Sequence, residues 1–150
     1  MVTSAVIPAY NEESTIAAVV DTLKQARGVD EIIVVSDGST DNTVLISESL
    51  GVRVVELPEN RGKGAAVKAG LDASAGEVIL LVDADLIGLK PIHVENLLQP
   101  LADNICDMSV GVFSSGRLST DLAQLITPSL SGQRAVRRYL LEMLGGIEEA

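Results

Sequence analysis

Cysteine, histidine and aromatic residues are nearly missing from this sequence. Its 150 residues include one Cys, one His, no Trp, two Tyr and one Phe. Cys106 alone builds neither a disulfide framework nor a cysteine-based zinc site, so a reducing cytoplasm is the default expectation. With so few aromatics there is no platform on which single-stranded bases could stack. A basic stripe is missing as well. Eleven Lys and Arg stand against 21 Asp and Glu, a formal net charge of −10, which argues against a nucleic-acid groove. Apolar runs are short, as in Val78-Ile79-Leu80-Leu81-Val82, whereas a membrane-spanning helix needs ~20 residues. Met1 is not followed by a basic and then apolar signal segment. The absence of G-x-S-x-G leaves serine-hydrolase chemistry without support.

What remains is ordinary globular material, 47% hydrophobic and 21% charged. A chain of this length suits one domain and can bury roughly 70% of its unfolded surface. Its periodicity alternates between strand and helix. Ala5-Val6-Ile7 is a short strand stopped by Pro8. Ile16, Val19, Val20 and Leu23 fall at helical spacing, with Asn11 and Ser14 as cap residues and Gly28 as the stop. Ile32–Val35 is apolar on both faces, as strands of a covered parallel sheet are. A helix over 41–50, a strand over 53–57, an Ala-rich helix over 65–75 and a strand over 77–82 follow. Pro91 opens a helix with Ile92, Leu97, Leu98 and Leu101 inward. Residues 106–113 read as a strand and 131–144 as a helix. The alternation predicts an α/β fold with a mostly parallel sheet.

In such sheets ligands bind beyond the carboxyl ends of the strands. Three polar groups stand there: Pro8-Ala9-Tyr10-Asn11-Glu12, Ser36-Asp37-Gly38-Ser39 and Asp83-Ala84-Asp85. Asp83 and Asp85 leave a five-residue apolar strand and point to one side, since residues i and i+2 share a face. Two carboxylates so placed repel unless a cation joins them, and Mg²⁺ or Mn²⁺ prefers such oxygen ligands. A pair of helix caps is the plain alternative. Asp37 can accept a hydrogen bond from a base N–H, though an Asx-turn explains it equally well. Ser39 and Asp41 read as caps. Gly62-Lys63-Gly64 before a helix resembles a phosphate cradle, with Arg61 and Lys63 able to touch a diphosphate. It matches neither the Walker loop nor the dinucleotide fingerprint. His93 reads as a surface residue and Cys106 as a small core residue. All of the charge deficit lies in residues 1–110, because Arg117, Arg134, Arg137 and Arg138 balance four acids in the remainder. Those arginines suit either an anionic acceptor or a solvated face.

Four segments, taken together, carry a family resemblance. Val6-Ile7-Pro8-Ala9-Tyr10-Asn11-Glu12, Val34 to Asp41, Asn60-Arg61-Gly62-Lys63-Gly64 and Val82-Asp83-Ala84-Asp85-Leu86 resemble, in order and spacing, the GT-A glycosyltransferases of family 2. The likeness covers about the first ninety residues. Within that family the chain is similar to the dolichyl- or polyprenyl-phosphate sugar transferases. It is also similar to the glucosyl-3-phosphoglycerate synthases, through Ser115-Gly116-Arg117, a Thr shortly after, and Leu130-Ser131-Gly132. The resemblance implies a GT-A (Rossmann-like) three-layer sandwich with a mostly parallel central sheet. It implies a UDP- or GDP-linked sugar donor, Mg²⁺ or Mn²⁺, and an anionic small-molecule, hydroxyl or polyprenyl-phosphate acceptor. Pro8, Ala9, Tyr10, Glu12, Asp37, Lys63, Asp83 and Ala84 would bind the nucleotide, with Asp37 reading the base. Asp83 and Asp85 would hold the metal. Gly116, Arg117, Ser131 and Gly132 would face the acceptor.

Two departures bear on the expectation. Members often carry Asp-Asp where this chain has Ser36-Asp37. The family's catalytic region also continues well past the length available here. Residues 1–150 are therefore expected to be a single nucleotide-sugar-binding domain whose acceptor-side portion is incomplete after about residue 113. It should bind a nucleotide sugar better than it transfers it, with the catalytic base unassigned. Rival readings are a sugar-phosphate nucleotidyltransferase and a non-catalytic nucleotide-sugar-binding fragment. Cytoplasmic localisation is expected. Peripheral contact with a membrane and homodimer formation stay open.

Overall fold

The computed structural model describes residues 1–111 and 133–148. Its elements run β1 (Thr3–Ala9), α1 (Ile16–Gln25), β2 (Glu31–Asp37), α2 (Thr43–Ser49), β3 (Arg53–Leu57), α3 (Lys63–Ala73), β4 (Val78–Val82), α4 (Pro91–Ala102), β5 (Met108–Gly111), β6 (Gln133–Arg137) and α5 (Arg138–Glu148). The sheet order is β3-β2-β1-β4-β6-β5. Strands β1 to β4 are parallel, and β6 runs antiparallel to both β4 and β5.

Alternation along the central strands divides the core between the two sheet faces. Ala5, Ile7, Val34, Val78 and Leu80 pack with Ile16, Val19, Val20 and Leu23 of α1 and with Val94, Leu97, Leu98 and Leu101 of α4. Val6, Ile33, Val35, Ile79 and Val136 pack with Ala66 of α3, backed by Leu140 and Leu141 of α5. This is the expected three-layer α/β sandwich. Right-handed crossovers account for it. Helices α1 and α2 carry the chain outward from β1 to β3 over one face, and α3 brings it back across the other to β4. The order reverses at β1, so the carboxyl ends of β1 and β4 form the crevice of an open sheet.

Helix α3 lies unusually close to the sheet. A Cβ on Gly70 would come within 2.3 Å of Val6 Cγ1 and 3.1 Å of Val35 Cγ2. Gly62 at its N-cap has φ +99, a conformation that glycine adopts without strain.

Several local expectations need correction. Pro8 does not end β1. Pairing with β4 stops at Val6, so Pro8 sits where only β2 flanks the chain and its missing N–H is tolerated. Ile92 is 52% exposed rather than inward. The buried stripe Val94-Leu97-Leu98-Leu101 has helical spacing, and Ile92 lies about half a turn away from its start. Within the region read as one helix, Gln133–Arg137 is a strand and the helix starts only at Arg138. Pairing with β4 and burial of Ala135 and Val136 decide that segment, overriding local preference. Asn11 and Ser14 do not cap α1, whose N-cap is Thr15. Of the strand expected over 106–113, Met108–Gly111 is formed, while 112 and 113 lie outside the described residues. Cys106 is half-buried against the larger core.

At the opposite edge of the sheet a polar knot joins β1, β2 and the α3–β4 turn. The Ser4 hydroxyl donates to Glu31 Oε1 at 2.5 Å. The Ala75 N–H donates to the same oxygen at 2.7 Å, and the Gly76 N–H donates to Ser4 Oγ at 2.8 Å. Hydrogen bonds from Ser4 and from the Ala75 backbone hold the Glu31 carboxyl below its ordinary value. A depressed carboxylate stabilises the fold above its unfolded pKa, and that stabilisation is lost as pH falls through the folded pKa. Glu31→Gln should therefore melt below wild type at pH 7, with the gap closing under acid. A constant gap from pH 7 to pH 3 would contradict this. Separately, Gly70→Ala should lose about 1–3 kcal/mol to overpacking, more than the ~1 kcal/mol gained in helix propensity. Adding Val6→Ala should restore part of the loss in a urea-unfolding double-mutant cycle.

Candidate active site

Two loops at the carboxyl edge are laced together by short polar side chains. The Asn11 N–H donates to Ser39 Oγ at 3.1 Å, the Glu12 N–H to Thr43 Oγ1 at 2.9 Å and the Glu13 N–H to Asp41 Oδ2 at 3.2 Å. In return, Asn11 Oδ1 accepts from the Thr40 N–H at 2.8 Å, and Glu13 Oε2 accepts from the Asn42 N–H at 3.1 Å. Asn11 adopts φ +52 to do so, a left-handed conformation that Asn tolerates better than most residues. Its side chain thus fastens the β2–α2 loop instead of capping α1. The N-cap of α2 is Asn42 rather than Asp41, whose Oδ1 accepts from the Thr43 N–H at 3.0 Å from one residue further out. Ser39 serves the β1–α1 loop. This lacing fixes Tyr10 and Glu12 beside the end of β2.

Asp37, buried at the end of β2, organises the approach to α3. Its Oδ1 accepts from the Arg61 N–H at 2.8 Å and its Oδ2 from the Gly62 N–H at 2.9 Å. Gly38 next to it has φ +74, and a Cβ there would lie 2.6 Å from Asn60 N. Only glycine lets the two loops close at that point. The Arg61 side chain turns outward to Glu59, 3.5 Å away. That guanidinium is 57% exposed.

At the end of β4 the Thr15 hydroxyl donates to the Ala84 carbonyl at 2.8 Å, tying the start of α1 to the Asp83–Asp85 segment. Lys63, the first residue of α3, reaches Asp83 Oδ1 at 2.5 Å. The Asp83 side chain is 11% exposed and that of Lys63 43%. Asp85 is exposed. These groups surround a cleft of about 370 Å³.

Pro8, Ala9, Tyr10, Glu12, Asp37, Lys63, Asp83, Ala84 and Asp85 all line this cleft. Asn60, Gly62 and Ala66 line it too, beyond what the sequence singled out as binding residues. Asn60 and Gly62 flank Arg61 in the loop motif, and Ala66 lies three residues after Lys63 on the same helix, so helical periodicity could have found it. Gly116, Arg117, Ser131 and Gly132 lie outside the described residues. His93 is half-buried outside the cleft, its Nδ1 accepting from the Lys90 N–H at 3.1 Å at the start of α4. Arg137 binds Asp107 Oδ1, the Leu101 carbonyl and Asn104 Oδ1, and Arg138 binds the carbonyls of Gly76 and Leu71. Both brace the fold rather than face solvent.

The cleft is strongly acidic. Burial and the Asp85 carboxylate, with lesser repulsion from Asp41 and Asp83, push the Glu12 carboxyl above its ordinary value despite the Thr15 hydroxyl. Such crowding favours a cation. Among the described residues no group of three or more His, Cys, Asp or Glu is gathered to hold a metal ion unaided. The two hard-oxygen donors Asp83 and Asp85 nevertheless fit Mg²⁺ or Mn²⁺, which complete their shells with phosphate oxygens and water.

Comparison with known proteins agrees with this geometry. A family model described as "Glycosyl transferase family 2" matches residues 4–144. Glucosyl-3-phosphoglycerate synthase of Mycobacterium tuberculosis is 32% identical over 179 residues, covering 94% of this chain and 55% of that protein. A dolichyl-phosphate beta-glucosyltransferase of Drosophila melanogaster is 37% identical over 136 residues, covering 79% of this chain and 42% of that one. A crystal structure of the M. tuberculosis synthase with Mn²⁺, uridine-diphosphate and glucosyl-3-phosphoglycerate superposes with a TM-score of 0.77 at 33% identity, covering 93% of this chain and 58% of that one. The chain thus spans about half the length of these curated relatives. No helix among the described residues is long and apolar enough to cross a membrane.

The Asp37 geometry yields a prediction. An amide in place of the carboxylate offers one acceptor oxygen and turns donors toward a backbone N–H. Asp37→Asn should destabilise the protein by about 1–3 kcal/mol and speed hydrogen exchange at the Arg61 and Gly62 amides. Unchanged exchange at both would show that the carboxylate does not hold this loop.

Proposed function

The chain belongs to glycosyl transferase family 2, and on that premise we propose that its cleft binds a nucleoside-diphosphate sugar together with Mg²⁺ or Mn²⁺. The whole protein then transfers the sugar to a phosphate-bearing acceptor. One observation carries the reading. Side chains from the ends of β1, β2 and β4 and from the start of α3 line a single cleft at the strand-order reversal. Uracil is the base we favour, because the similar M. tuberculosis enzyme was crystallised with uridine-diphosphate and Mn²⁺.

In this reading Pro8, Ala9, Tyr10 and Asp37 border the nucleoside. Tyr10 is 46% exposed and so has ring surface available to cover a base. The amide end of α3 and Lys63 face the diphosphate, since a helix N-terminus favours anions. Asp83 and Asp85 hold the metal, which when bound supplies Lewis-acid compensation for charge on the departing diphosphate. Glu12 borders the same cation. The acceptor side is assigned to Gly116, Arg117, Ser131 and Gly132. Support comes from the flanks of that region: Gly111 and Val82 both pair with Gln133, at the cleft edge of the sheet. Residues 1–111 are accordingly the donor-binding portion.

Calorimetry with UDP, GDP and Mn²⁺, followed by sugar-release assays on the same sample, tests the proposal. Mn²⁺-dependent UDP binding is expected. Pyrophosphate release from a nucleoside triphosphate would replace it with a nucleotidyltransferase. Asp85→Asn should abolish metal-dependent nucleotide binding and leave the melting temperature within a degree or so of wild type, as exposed substitutions usually cost under ~0.5 kcal/mol. Retained UDP binding with unchanged Mn²⁺ dependence would remove Asp85 from the metal site.

A further inference from the structure

We propose that Lys63 is an exchangeable counter-ion. Its ammonium holds Asp83 until a divalent cation displaces it, and it then turns to the diphosphate. The inference rests on the metal-and-nucleotide reading of the cleft and adds to it an order of events and a coupling.

The contact is unequal in the way an exchange requires. Asp83 is the buried partner, 11% exposed, and cannot stand uncompensated. Lys63 is 43% exposed and carries its charge on a flexible four-carbon stem, so the ammonium has somewhere to go. The backbone at its root stays put, because the Gly62 N–H is held by Asp37 Oδ2 and the Gly62 carbonyl accepts from the Ala66 N–H. At 2.5 Å the ammonium occupies Asp83 Oδ1. A divalent ion on that oxygen would meet a like charge at contact distance, and such repulsion grows as water is excluded. The lysine and the ion therefore compete for that oxygen.

Charge in the cleft sets the direction of movement. Glu12, Asp37, Asp83 and Asp85 line it, and Lys63 is the base among its lining residues. A diphosphate entering alongside the Lys63–Asp83 pair would face these acids with the Lys63 ammonium already engaged. Once a divalent ion compensates Asp83 and Asp85, the ammonium is released beside the N-terminus of α3, where an anion is favoured. Metal and diphosphate therefore raise each other's affinity, and linkage makes that enhancement reciprocal.

The test measures Mn²⁺ binding by calorimetry with and without UDP, for the wild-type chain and Lys63→Gln. Removing the competing charge should tighten Mn²⁺ binding in the absence of UDP by on the order of tenfold. It should weaken UDP binding at saturating Mn²⁺ by a similar factor, within the usual range of coupling between linked ligands. A lysine that only contacts phosphate would weaken UDP and leave Mn²⁺ affinity unchanged, and that result overturns the exchange. A lysine that only supports the fold would weaken both, which overturns it equally. A second readout avoids any folding defect in the variant. Acylation of the Lys63 amine in the wild-type chain, followed by mass spectrometry, should rise several-fold on adding Mn²⁺ and fall again on adding UDP. Labelling indifferent to Mn²⁺ overturns the proposal even where Mn²⁺ and UDP bind normally. If the wild-type chain binds neither, the reading of the cleft itself fails and the exchange fails with it.

Discussion

Between Lys63 and Asp83 a single ammonium–carboxylate contact joins the start of α3 to the end of β4. Much else is arranged around it. Asp83 must leave a buried strand as a charged group, and a buried carboxylate without a partner is costly. Lys63 reaches it because α3 begins at that spot. That placement depends on Asp37 gripping the Arg61 and Gly62 amides, and on Gly38 letting the loop close over it. It depends also on Gly70, whose missing side chain lets α3 lie down on Val6 and Val35. Each of these details is minor alone. Together they bring the Lys63 ammonium into a cleft that Glu12, Asp37, Asp83 and Asp85 also line.

The acids of that cleft share a residue class but not an environment. Asp37 spends both oxygens on backbone N–H groups and is architectural in this structure, whatever else it meets. Asp83 is compensated by a lysine. Asp85 is exposed. Burial, with the repulsion of its neighbours, holds the Glu12 carboxyl above its ordinary value. Environments this different divide labour: Asp37 shapes the loop, Asp83 is tied to α3, Asp85 stands open to solvent, and Glu12 registers the crowding. In a chain of net charge −10, carboxylates crowded in this way raise the local affinity for cations.

Much of this was legible in the sequence, for identifiable reasons. Val78–Val82 is apolar on both faces and ends abruptly in Asp-Ala-Asp, so its burial follows from the sequence; the strand stops at Val82 and Ala84–Asp85 form a turn, so both acids reach the cleft from the loop after the strand rather than by strand alternation. Ile32–Val35 ending in Ser-Asp-Gly is the same signal again. The nine cleft residues named from sequence met in one place because parallel strands present their carboxyl ends to one edge. What escaped was set by partners distant in the chain. Asn11 looks like a helix cap, but Thr40 and Asp41 claim its side chain from 29 and 30 residues away. Gln133–Arg137 has no strand-like alternation; it is a strand because β4 and β5 pair with it.

Strand β6 also bears on how the two ends of the described chain cooperate. Without it β4 would be an edge strand, open on one side along its length. Pairing from Val78 with Arg137 to Val82 with Gln133 closes that side up to the residue before Asp83. The far end of β6 is clamped by Arg137 on Asp107 and Asn104, and the start of α5 by Arg138 on Gly76 and Ser74. These anchors stand at the edge opposite the cleft, so β6 approaches the cleft as a strand fixed at its base. The position of Asp83 thus rests on a strand far later in the chain. Gly111, Gln133 and Val82 thus stand side by side at the edge of the sheet from which Asp83 enters the cleft.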